Sequence, residues 1–104
     1  MAERTREIRR FLSAIKKKFR PSKVILFGSR ARGDYMEESD YDLLIVSNEF
    51  AKYDWRERII EVIKLADGKF SLDVICLTEE EFEKRKKELS IVNEAVKEGV
   101  TLKF

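Results

Sequence analysis

Residues 23–46, KVILFGSRARGDYMEESDYDLLIV, constrain the fold more than any other stretch of this chain. Two apolar runs of strand length are joined by a segment with two glycines, two arginines and, at its far end, two aspartates one residue apart. Residues 24–27 predict a strand buried on both faces at the centre of a sheet, and Gly28-Ser29 then turns it into a short helical turn over residues 29–33. Glycine at such a turn lets the backbone come close to a phosphate. The second run predicts a strand over residues 40–46. Its period of two puts Asp40, Asp42, Leu44 and Val46 on one face and Tyr41, Leu43 and Ile45 on the other, with the two carboxylates about 7 Å apart along the chain. Residues 34–39 read as an exposed acidic loop.

The flanking sequence supplies helices and further strands. Ile8, Phe11, Leu12, Ile15 and Phe19 recur at helical spacing, so residues 3–19 predict an amphipathic helix, stopped by Pro21. Residues 47–53 read as loop, and Trp55, Ile59, Val62, Ile63 and Ala66 mark a second amphipathic helix closed by Asp67-Gly68. Residues 71–77 predict a third strand that carries Asp73 between Leu72 and Val74. Thr78 and Glu81 form a capping box, with Leu77 placed to staple onto Phe82. Ile91, Val92, Ala95 and Val96 continue or restart helix as far as Gly99, and Val100, Leu102 and Phe104 alternate as a short edge strand would. The expected fold is α/β (α+β): a small mixed β-sheet with helices packed against it, formed by residues 1–104 as a single domain.

Composition narrows the chemistry. The 104 residues contain no histidine, which removes Ser-His-Asp and Cys-His catalysis, histidine general bases and the usual zinc sites together. The single cysteine, Cys76, lies in an apolar run and reads as a buried small hydrophobe. The net charge of +2 conceals an uneven distribution, because residues 1–32 carry +9 and residues 33–104 carry −7. A basic first helix either presents a solvated face or guides an anion, whether nucleotide, RNA or an acidic partner surface. No apolar run reaches 18 residues and no signal-peptide core is present, so the expectation is a soluble, cytoplasmic protein with no membrane association. Tyr35, Met36, Tyr53 and Trp55, in or beside loops, either cover the core or present a partner surface.

If the second and third strands are neighbours, Asp40, Asp42 and Asp73 converge at one end of the sheet. Three like charges there would destabilise the fold unless a cation sits among them, and hard oxygen ligands favour magnesium completed by water and substrate phosphate. Two such ions can serve the attacking and leaving oxygens of phosphoryl or nucleotidyl transfer. Gly28, Ser29 and the N–H groups of the following turn are then placed to hold a triphosphate. Arg30 and Arg32, in the same segment, can neutralise its charge; spacing alone does not say which points inward.

The stretch resembles the nucleotidyltransferase superfamily that includes DNA polymerase beta, and more closely its minimal nucleotidyltransferases. Their pattern of Gly-Ser, ten residues, then Asp-x-Asp is met by Gly28-Ser29 and Asp40-Tyr41-Asp42. The fuller form is met by Gly28-Ser29-Arg30-Ala31-Arg32-Gly33 and Ser39-Asp40-Tyr41-Asp42-Leu43. The resemblance implies a nucleotidyltransferase fold, two magnesium ions held by Asp40 and Asp42, and Asp73 as the third metal-associated acid and the base for the attacking hydroxyl. It further implies ATP as substrate and, as partner, a HEPN-domain ribonuclease toxin, with AMP passing to a tyrosine of that toxin and the chain acting as its antitoxin. Larger relatives clamp their acceptor with a second domain, which this sequence lacks, so the acceptor should be held mostly by a partner.

Two other readings compete. One is a binding module that masks its partner by contact and keeps the site as a vestige; the retained acids weigh against it. The other is nucleotidyl transfer to RNA or a small molecule, which the basic first helix favours and the missing acceptor-binding domain does not.

Overall fold

The computed structural model describes residues 2–33, 40–88 and 91–102. Its centre is an antiparallel strand pair: β1 (Lys23–Phe27) runs antiparallel to β2 (Tyr41–Val46), with Val24 opposite Ile45 and Phe27 opposite Asp42. β3 (Leu72–Leu77) lies parallel to β2 on its other side, and the short β4 (Val100–Thr101) pairs antiparallel with β1. The sheet order is therefore β3-β2-β1-β4, a mixed four-stranded sheet with β1 and β2 inside, as the continuous apolar runs predict. The segment at 34–39, with Tyr35 and Met36, and Phe104 lie outside the described residues.

Helices cover both faces because both faces of the central strands are apolar. Phe11, Ile15 and Phe19 of α1 (Ala2–Phe19) pack with Val62 and Ala66, at and beyond the end of α3 (Trp55–Lys64), over Val24, Leu43, Ile45, Val74 and Cys76. The opposite face, with Ile25, Leu44, Val46 and Leu77, is covered by Phe82 of α4 (Glu79–Arg85) and by Val92 and Ala95 of α5 (Ile91–Glu98). The alternation predicted for β2 is thus realised, with Leu43 and Ile45 turned to one layer and Leu44 and Val46 to the other. Cys76 is buried, and burial pushes its thiol up to about 12, with the nearby Arg58 guanidinium opposing the rise. Among the described residues, no helix is long and apolar enough to cross a membrane.

Residues 47–53 differ from the expected loop. Asn48–Lys52 forms a 3-10 helix because buried Ser47 accepts from Glu49 N–H at 3.1 Å while donating its hydroxyl to the Phe19 carbonyl, which ties the segment to the end of α1. Its buried Phe50 sits 4.8 Å from Phe19, ring centroid to centroid. Tyr53 also stacks edge-on to Phe19, whereas Trp55 is 53% exposed, so the loop aromatics divide between core cover and surface.

The capping box at Thr78 is present, and Glu81 has a second task. Buried Arg58 donates to the carbonyls of Phe50 at 2.9 Å and Cys76 at 3.2 Å and forms an ion pair with Glu81 at 2.7 Å. One side chain therefore links the 3-10 turn, β3 and α4. Burial raises the Glu81 pKa, but hydrogen bonds from Arg58 and the Thr78 N–H outweigh it and hold the carboxyl below the usual glutamate range. A carboxyl held low in the fold stabilises above its unfolded value of about 4.3, and that contribution is lost as pH falls through the folded value. The stability difference between wild type and Glu81→Gln in urea denaturation should be level above about pH 5 and shrink on further acidification.

Gly99 brings α5 down onto β1. A Cβ there would overlap the Ala95 carbonyl and Ile25 Cγ2 and lie 3.0 Å from the Leu26 carbonyl. Backbone atoms cannot retreat as a flexible side chain does, so Gly99→Ala should cost about 1–3 kcal/mol in denaturant unfolding.

Candidate active site

The sheet register assembles one row of residues at the end where β1 finishes and β2 and β3 begin. Phe27 is opposite Asp42 across the antiparallel pair, and Asp42 is beside Asp73 across the parallel pair. Side chains in register on neighbouring strands share a face about 5 Å apart, so Asp42 and Asp73 are close neighbours on the face carrying α4 and α5. Asp42 is partly buried and Asp73 exposed. Asp40 is exposed and lies one residue before β2, at the same end.

Gly28 completes this corner. It opens α2 (Gly28–Arg32) at φ +72°, a left-handed conformation suited to glycine, and a Cβ on it would overlap Asp42 Oδ2. The glycine therefore does two things: it makes the strand-to-helix turn, and it leaves the space that the Asp42 carboxylate uses. Ser29 follows in the first turn of α2 and is partly buried. Gly33 ends the helix in the left-handed region, its N–H bonded to the Ser29 carbonyl at 2.9 Å.

The Arg30 guanidinium carbon is 4.1 Å from the centre of the Tyr41 ring, within cation-π range. Tyr41 packs against the α1 and α3 layer and meets the Phe70 ring edge-on at 5.3 Å, on the sheet face away from Asp42. Arg30 thus braces the start of β2 from behind. Arg32 is the last residue of α2.

The donor set suits a hard cation. Among the described residues, no three acidic, cysteine or histidine side chains gather tightly enough to hold a metal ion. Magnesium, however, commonly takes only one or two protein carboxylates and fills its shell with water and phosphate oxygens. Asp42 and Asp73 supply that number, and the space beside Gly28 keeps the Asp42 carboxylate in place.

A groove of about 190 Å3 opens next to Gly28, lined by Phe27, Ile91, Glu94, Ala95 and Glu98. The sequence pattern does not mark it, although Glu94 and Glu98, like charges one turn apart, are an unfavourable helix pair that could have drawn notice.

A sequence pattern for the nucleotidyltransferase domain matches residues 8–101. The chain belongs to the nucleotidyltransferase domain family. Two proteins of Methanocaldococcus jannaschii are similar to parts of it. "Putative protein adenylyltransferase MJ0604" is 58% identical over 43 residues, 39% of this chain and 43% of that protein. "Putative protein adenylyltransferase MJ0141" is 44% identical over 50 residues, 48% of this chain and 50% of that protein. The matched stretches span half or less of the length of these curated relatives. The fold is similar to a crystal structure described as a putative nucleotidyltransferase from Sulfolobus solfataricus, with a TM-score of 0.60, 27% identity, and coverage of 91% of this chain and 80% of that one.

Because the Asp42 carboxylate occupies the place of a Gly28 side chain, Gly28→Ala should displace it. If Asp42 and Asp73 hold magnesium, as this donor set allows, a magnesium titration followed by amide shifts should show weaker binding in that variant, with the far-ultraviolet spectrum of the fold retained.

Proposed function

We propose that this chain, acting as a single domain, is a magnesium-dependent adenylyltransferase that moves AMP from ATP to a tyrosine of a partner protein. The observation carrying this reading is the Asp42–Asp73 pair in register on parallel strands, with Gly28 closing against Asp42. Two relatives bear the name protein adenylyltransferase, which supports a protein as acceptor. The resemblance of the Gly-Ser and Asp-x-Asp motifs to minimal nucleotidyltransferases supports a HEPN-domain ribonuclease toxin as that protein, and an antitoxin role for this chain.

In this mechanism Asp40, Asp42 and Asp73 would hold magnesium, which when bound supplies Lewis-acid stabilisation of phosphate charge. Gly28, Ser29 and the opening N–H groups of α2 bind and orient the triphosphate. Arg30 and Arg32, in the same segment, can neutralise phosphate charge. Asp73, more exposed than Asp42, accepts the proton of the tyrosine hydroxyl. The hydroxyl oxygen then forms its bond to the α-phosphorus, the bond to the bridging oxygen breaks, and pyrophosphate leaves with that electron pair.

Incubation with ATP, magnesium and a HEPN-domain protein should add the mass of AMP to the acceptor. Asp42→Asn and Asp73→Asn should each slow transfer on the order of a thousandfold, about 4 kcal/mol of transition-state stabilisation. Transfer at the wild-type rate in both variants would remove the basis of this assignment.

A further inference from the structure

The groove beside Gly28 is too small for a whole nucleotide, since pockets that enclose small-molecule ligands run to roughly 300–1,000 Å3. Phe27, Ile91 and Ala95 give it apolar walls, and Ile91 is 56% exposed at the surface. Glu94 and Glu98 line it from one turn to the next of α5. Neither acid is engaged in an ion pair among the described residues, whereas Glu49, Glu61, Glu81 and Glu83 each hold a Lys or Arg.

The pair is unfavourable at Glu98, whereas Glu94 lies in the first turn of α5, where the helix dipole favours an acid. Like charges four residues apart on a helix repel, and Glu98 lies in the last turn, beside the negative end of the helix dipole. A groove with apolar walls and two unmatched carboxylates is complementary to a side chain with an aliphatic stem and a cationic head. Arginine matches better than lysine, because its planar guanidinium presents five donors to two carboxylates and sheds water more readily.

We propose that this groove receives an arginine side chain of the protein that the enzyme modifies. The proposal rests on the protein-acceptor reading above. Gly28 belongs both to the groove and to the turn beside Asp42, so a partner anchored here lies at the end of the sheet that carries Asp42 and Asp73. The anchor gives this domain a means of holding a protein acceptor.

The test uses the intact chain and the peptide acetyl-Gly-Arg-Gly-amide, followed by 15N–1H correlation spectra. Saturable shifts are expected at Gly28, Glu94, Ala95 and Glu98, and the citrulline peptide, which lacks the charge, should give none. Glu94→Gln with Glu98→Gln, both at exposed positions, should weaken the arginine peptide at least tenfold while leaving the rest of the spectrum in place. Shifts that do not saturate, that persist in the double variant, or that are as large at Glu79 and Glu80 as at Glu94 would overturn the proposal. No ATP or acceptor protein is present, so this outcome is read independently of whether AMP transfer occurs.

Discussion

Pairing of β2 with both of its neighbours is the constraint on which the site depends. One antiparallel and one parallel ladder set Phe27, Asp42 and Asp73 in a single row, so the glycine turn and two carboxylates are positioned by backbone hydrogen bonds. Everything else protects that alignment. Apolar layers on both faces hold the strands flat against helices, and a one-residue slip of β2 would exchange Asp42 for Tyr41 and bury the wrong set of side chains.

Most of the framework was readable from local pattern. The two buried runs, the capping box at Thr78, the helix stop before Pro21 and the buried Cys76 follow from periodicity and turn chemistry, which act within a few residues. The turn at Gly28 was readable because a glycine between a buried strand and a helical turn has few alternative uses. What escaped was decided by contacts distant in sequence. Arg58 looks like one more charge on an amphipathic helix until the Phe50 and Cys76 carbonyls are brought to it. Arg30 gives no local sign of its contact with the Tyr41 ring, which only the start of β2 brings to it. Asp73 sits between two apolar residues, yet as the second residue of its strand it is exposed at the sheet's end.

The two faces of the sheet also divide the labour. One layer, built from α1 and α3 with its aromatic chain of Phe11, Phe70 and Tyr41, supports the strands from behind. The other carries Asp42 together with α4 and α5, and its apolar packing stops at the row where the acids begin. Such a boundary leaves the carboxylates at the edge of the packed layer while their own strands stay dry.

The parallel β2–β3 contact has a kinetic meaning as well. Asp42 and Asp73 become neighbours only after the chain between them has left the sheet, formed the 3-10 turn and α3, and returned. A contact of this kind pays its loop-closure entropy late, when most of the domain is already in place. A nascent or partly unfolded chain can therefore contain the glycine turn and the first acids without having Asp42 beside Asp73. That contact is then a report on the completed fold, absent until β3 has docked.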